Sequence, residues 1–203
     1  DNTRVIVIRG RDGVFSRGMD FGNMIKHADD MKEEFSRPYI DTVLAIRNSK
    51  KPVIAAVDGE VLAGGMGIML ACDIVIATER SQFGLSEVIF GLIPAMVYPL
   101  LLERIPEKKA KYLILSSKRF GVDEALRIGM IDEICEDTKL DRTLKGYFQR
   151  ILFASPDAMA VMKNYSDRIT NSDIENKLIM ANKQLIELLK IKDNVDAIRA
   201  FMN

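Results

Sequence analysis

Three short, nearly uninterrupted apolar runs, Val5 to Ile8, Val53 to Val57 and Ile74 to Ala77, constrain this chain more than any other feature. Each is too brief for a helix and lacks alternation with polar residues, which is how a strand reads when both of its faces are covered in a parallel sheet. Parallel strands need crossover connections, and helical patterns fill the gaps between the runs. Pro38 to Arg47 places Tyr39, Ile40, Val43, Leu44 and Ile46 at helical spacing, and Gly65 to Ala71 predicts a tight buried helix ending before Asp73. The fold class that follows is α/β.

Farther along, helices are predicted from about Met96 to Ile105, from Glu107 to Leu115 and over Val122 to Gly129. From Leu140 onward the chain reads as helical, over 140–153, 157–167 after Pro156, and 172–201. Residues 22–37 are polar and weakly periodic. They predict a surface loop or frayed helix of the kind that lines a substrate entrance, and His27, the lone histidine, reads there as a solvated side chain.

Composition removes several classes of function. Lys plus Arg total 29 and Asp plus Glu total 29, so no bulk charge recruits nucleic acid or an anionic membrane. Cys72 and Cys135 form neither a disulfide framework nor a zinc motif, and Cys72, inside the apolar run Ile68 to Ala77, reads as a small buried thiol. No apolar run is long enough to span a membrane and the N-terminus lacks signal-peptide order, which predicts a cytoplasmic protein. Asp1 to Arg9 opens almost at once into a buried-type strand with nothing ahead to cover it, so sequence is expected to be missing before it.

Three stretches carry candidate chemistry. Phe15-Ser16-Arg17-Gly18-Met19-Asp20-Phe21 follows the first strand, and Gly18 allows a sharp turn that leaves the Met19 amide able to face a cavity. A plain surface turn is the alternative. Ala55 to Gly67 (AAVDGEVLAGGMG) is a strand and a glycine-rich turn opening a helix, where free N–H groups and the positive helix end meet an anion or a carbonyl oxygen. Glycines that merely let a helix pack on a sheet explain it as well. No Gly-Lys-Ser/Thr follows, and the glycine spacing does not match a dinucleotide fingerprint. In Ser81 to Pro94 (SQFGLSEVIFGLIP), Glu87 stands among apolar neighbours; if desolvated, its pKa rises toward neutrality, which suits a group that holds and releases a proton. A capping or salt-bridging glutamate remains open.

Taken together and in this order, FSRGMDF, AAVDGEVLAGGMGIMLACDIVIA and SQFGLSEVIFGLIPA resemble the crotonase (enoyl-CoA hydratase/isomerase) superfamily, from residue 1 to about residue 134. The resemblance implies a ββα spiral core, here 1–139 and truncated at its N-terminus, with a helical trimerisation region over 140–203. It implies oxyanion-hole amides at Met19 and Gly64, with Gly18, Ala63, Gly65 and Gly67 around the bound thioester. Glu87 falls on the family's second acid/base position, whereas the hydratases' first glutamate falls on Gly67. Asp20 remains as a possible second catalytic carboxylate. With that departure, FGLSEVIFGLIPAMVYPLLLERIPEKKAKYLIL resembles most the polyketide β-branching dehydratases, which act on 3-hydroxy-3-methylglutaryl groups on an acyl carrier protein.

The resemblance further implies an acyl-CoA or carrier-protein thioester partner, no metal and no cofactor beyond the carrier arm, no nucleic acid or membrane partner, and a homotrimer or hexamer. A general enoyl-CoA hydratase or isomerase with one carboxylate, and a non-catalytic thioester-binding member, stand as alternatives. Tyr98 and Tyr112 are possible pocket phenols, more readily core or interface residues. Lys108, Lys109, Lys111, Lys118 and Arg119 could meet an acidic carrier protein or simply be solvated.

Overall fold

The computed structural model describes residues 2–20, 36–170 and 173–202. The polar stretch over 22–37 lies mostly outside them, as does His27. Eight strands in the described residues form two four-stranded sheets. The first is parallel, in the order β1 (Ile6–Arg9), β3 (Val53–Val57), β5 (Ile74–Thr78) and β8 (Glu133–Cys135). The second runs β2 (Val14–Ser16), β4 (Glu60–Leu62), β6 (Gln82–Gly84) and β7 (Phe120–Gly121), with β7 antiparallel to β6. Successive pairs thus place one strand in each sheet, and the chain winds forward between them.

The predicted apolar runs are the first three strands of the first sheet. Because successive side chains point to opposite faces, Val53, Ala55 and Val57 enter the larger core while Ile54 and Ala56 enter a second, smaller one. Helix α6 (Leu140–Phe153) covers that second face with Leu140, Leu144 and Ile151. The larger core takes α1 (Arg37–Arg47) through Ile40, Val43 and Ile46, and α2 (Gly64–Ala71) through Met66, Met69 and Leu70.

The strands of the second sheet were not predicted, because each has three residues or fewer and too little pattern to register. Phe83 and Phe120 join two of them, with ring centroids 5.7 Å apart. The helix predicted over Met96 to Ile105 contracts to α3 (Tyr98–Leu102), since Pro99 offers no N–H to the preceding turn. Next come α4 (Glu107–Ser116), α5 (Val122–Arg127) and α7 (Pro156–Ile169).

The helix predicted over 172–201 is two, α8 (Ile174–Leu189) and α9 (Lys192–Met202). No glycine or proline marks the break. At the break the Leu188 carbonyl accepts both the Ile191 N–H at 3.3 Å and the Asn194 side-chain amide at 2.9 Å. Leu178 and Leu185 of α8 and Ile198 of α9 share the larger core with Val53 and Phe83, so these two helices pack onto the strands of both sheets. No helix among the described residues is long and apolar enough to cross a membrane.

The corner between β3 and β4 depends on Gly59, which has φ +94°. A Cβ there would lie 1.8 Å from the Gly13 carbonyl oxygen, which accepts the Glu60 N–H at 2.9 Å. Gly59→Ala is therefore expected to lower stability by about 3 kcal/mol or more, from strain and clash together. Gly146→Ala, in α6, would meet only the Arg150 guanidinium at 3.9 Å and is expected to raise stability by about 0.5–1 kcal/mol. Urea denaturation midpoints of the two variants check the pair.

Candidate active site

Two glycine-bearing turns meet where the second sheet abuts the start of α2. Strands β2 and β4 are paired neighbours, so the loop leaving β2 and the turn leaving β4 emerge side by side. Gly18, with φ +87°, is seated so closely that a Cβ on it would lie 2.8 Å from the Gly64 nitrogen and 2.9 Å from the Ala63 Cβ. Any side chain at 18 would wedge the turns apart. A Cβ placed on Gly64 would lie 4.0 Å from the Met19 nitrogen.

Ala63 passes between β4 and α2 with φ 49° and ψ −129°, a conformation that costs a non-glycine residue about 1–3 kcal/mol. Its own N–H is tied to the Gly84 carbonyl at 3.0 Å, which holds the turn in place. The Gly64 N–H, first of α2, has no acceptor within the helix. Among the described residues neither it nor the Met19 N–H has a hydrogen-bond partner.

These turns border a cavity of about 380 Å³ lined also by Ser16, Ser36, Tyr39, Ile68, Glu87, residues 92–97 and Leu185 of α8. Its walls are mostly apolar. Glu87 opens a single 3-10 turn, Glu87–Phe90, closed by Gly91 at φ +71°. Its Oε2 is buried with no hydrogen-bond partner, and desolvation pushes the carboxyl pKa up to about 7, although its own amide and that of Ser86 pull the other way. This is a carboxylate that exchanges a proton near neutrality. Ser36 Oγ is likewise buried and unpartnered.

Other predicted site residues fall elsewhere. Asp20 is exposed beyond Met19 and does not line the cavity. Gly65 and Gly67 are buried beneath the wall: a Cβ at 65 would lie 2.5 Å from the Ser16 carbonyl oxygen, and one at 67 would lie 1.9 Å from the Tyr39 hydroxyl. They act by having no side chain and do not themselves line the cavity. Tyr98 faces a different groove and Tyr112 lies exposed under Lys109; the phenol in the cavity wall is Tyr39, which helical periodicity alone does not single out. Four of the five basic residues pair with carboxylates, Lys109 and Lys118 with Glu124, Lys111 with Glu107 and Arg119 with Glu60. Among the described residues no group of three His, Cys, Asp or Glu side chains is placed to hold a metal ion.

Residues 1–202 match the family model described as enoyl-CoA hydratase/isomerase. The chain belongs to this family. The short-chain-enoyl-CoA hydratase of Clostridium acetobutylicum is 35% identical over 154 residues, 75% of this chain and 59% of that protein. The bacillaene synthase dehydratase PksH of Bacillus subtilis is 34% identical over 163 residues, 79% of this chain and 62% of that protein. The chain thus spans only about three-fifths of these relatives. The crystal structure of PksH, described as an enoyl-CoA hydratase of polyketide biosynthesis, superposes with a TM-score of 0.89 at 28% identity, covering 98% of this chain and 79% of that one. An enoyl-CoA hydratase from Bacillus halodurans superposes at 0.91 with 26% identity, covering 97% and 81%. The family assignment and the α/β spiral with its helical C-terminal region therefore stand.

The carboxyl of Glu87 loses its proton near pH 7 when folded and near 4.5 when exposed, so folding favours its neutral form. Its contribution to stability is fully present below about pH 4.5, falls as pH rises from there to about 7, and is gone above, a loss of about 3 kcal/mol in all. Glu87→Gln is expected to be the more stable protein at pH 8, with the difference shrinking toward pH 4.5. Chemical denaturation of both proteins at the two pH values measures it.

Proposed function

We propose that this chain forms the enolate-stabilising site of an acyl-thioester dehydratase, acting on a 3-hydroxy-3-methylglutaryl group carried by an acyl carrier protein. The observation that carries the reading is the meeting of the Met19 and Gly64 turns at a cavity whose wall also holds Glu87, with a raised pKa and one carboxyl oxygen, Oε2, buried without a hydrogen-bond partner. In this reading the thioester oxygen rests between the two amides. Each such preorganised donor is worth about 3–4 kcal/mol to the developing oxyanion.

Glu87, as carboxylate, takes the α-hydrogen; the electron pair moves onto the carbonyl oxygen, then returns to form the double bond as the β-hydroxyl leaves. The apolar wall of Ile68, Leu92 and Met96 keeps water from the enolate and raises the proton affinity of Glu87. Asp20 is assigned to the cavity mouth, where it would accept a hydrogen bond from a hydroxyl or amide of the arriving thioester. The closeness to PksH supports the carrier-protein substrate. An assembly of three or six copies is supported by α7, which buries none of its residues within the chain and leaves Val161, Tyr165 and Ile169 exposed.

A second reading, a hydratase or isomerase of enoyl-CoA, is favoured by the single carboxylate in the described cavity wall, since an isomerase needs one base to shuttle one proton. Incubating the full-length protein with 3-hydroxy-3-methylglutaryl carrier protein and, separately, with enoyl-CoA thioesters separates the two. Loss of one water in mass from the first is expected; turnover of the enoyl-CoA alone would replace the dehydratase reading. Glu87→Gln is expected to lower kcat by about 10²- to 10⁴-fold. Since the base acts ionised, wild-type kcat/KM should climb as pH rises through about 7, an inflection missing from the variant.

A further inference from the structure

An elimination moves two protons, and Glu87 accounts for the one taken from carbon. Tyr39 is a second proton-bearing group in the same wall. Its ring lies against Gly64, with Cε2 3.6 Å from where a Cβ of that residue would stand, and its hydroxyl donates to the Gly64 carbonyl at 3.0 Å. The phenol oxygen occupies the space a side chain at position 67 would fill, 1.9 Å from an ideal Cβ on Gly67. Glycine at 67 is therefore the condition for a phenol to sit here. Burial, and after it the charge of Glu87, push the pKa of Tyr39 well above that of an ordinary phenol, so it stays a neutral O–H donor throughout the neutral range.

We propose that Tyr39 is the catalytic acid of this site, giving its hydroxyl proton to the β-oxygen as it leaves, opposite Glu87, which takes the α-hydrogen. The assignment rests on the dehydratase reading above. In the free protein the phenol O–H donates to the Gly64 carbonyl, and rotation about the phenol C–O bond re-aims it at a substrate hydroxyl. Glu87 removes the α-proton and the enolate forms. Collapse of the enolate makes the Cα–Cβ double bond and breaks the C–O bond, and the departing oxygen takes the Tyr39 proton and leaves as water. The tyrosinate then recovers a proton from the Glu87 carboxylic acid, which restores both groups, and the sum is the loss of one water. Transfer from the phenol is downhill even with its raised pKa, because the acceptor is a nascent hydroxide whose conjugate acid has a pKa of about 15.7. Asp20 is exposed and is not among the residues that line the cavity.

The test separates C–O cleavage from α-deprotonation. Full-length wild type, Tyr39→Phe and Gly67→Ala are assayed for dehydration of the 3-hydroxyacyl thioester by mass. They are also assayed in D₂O for α-hydrogen exchange into a saturated acyl thioester with no hydroxyl. Tyr39→Phe is expected to dehydrate about 10²-fold or more slowly while exchanging within about threefold of wild type. Gly67→Ala, which displaces the phenol without removing it, should show the same split. Dehydration by Tyr39→Phe at near wild-type rate overturns the assignment, and so does a parallel loss of exchange and dehydration, which would make the phenol only a support for the Gly64 turn. If Tyr39→Phe does not fold, Gly67→Ala decides by the same criteria. A wild-type protein that exchanges α-hydrogen but dehydrates no 3-hydroxyacyl thioester overturns the dehydratase reading and this assignment with it, a result distinct from one confined to the variants.

Discussion

The site depends on the chain at Gly18 and the chain at Gly64 approaching within a distance that leaves no room for a side chain at 18. Pairing of β2 with β4 brings the two segments side by side, and the register shift between Val14 and Ser16 sets where the first of them turns away. Backbone N–H groups placed this way are rigid, because their direction is fixed by the strands behind them and not by a rotatable side chain. Ala63 stores strain in the same turn, at a position pinned by its hydrogen bond to Gly84.

Burial does the rest. Glu87 is desolvated at a cavity whose wall also includes the apolar segment 92–97 and Leu185, which comes from a helix about a hundred residues farther along the chain. A carboxyl so placed destabilises the folded protein above neutral pH, and the same desolvation brings its proton affinity into the range where it can act on carbon. Strain at Ala63 and desolvation at Glu87 both sit at one cavity, while the strands beneath are packed with wholly buried valine, isoleucine and alanine. The sheet supplies the stability that the site spends.

Much of this is legible in the residues. The runs at Val53 and Ile74 read as strands because nothing else so apolar and so short fits the crossover pattern, and each was found within a residue of its observed bounds. Local chemistry singles out Gly18, Met19 and Glu87, the family resemblance adds Ala63 and Gly64, and all five border one cavity. The strands of the second sheet were not legible, since two or three residues carry no period. Nor was the break at Lys190, where the side chain of Asn194 meets the Leu188 carbonyl.

Tyr39 marks the boundary between the two kinds of information. In the sequence it is one apolar position on a helical face; in the fold its hydroxyl fills the gap left by Gly67, which lies 28 positions away by residue number. The chain alone determined the apolar strands, the glycine turns and a carboxylate set among apolar neighbours, because these follow from local sterics and from which residues avoid water. Only the tertiary structure decided which of those groups share a cavity, that Glu87 Oε2 is buried without a partner, and that a phenol shares its cavity wall, because distance and desolvation are properties of elements brought together from remote parts of the chain.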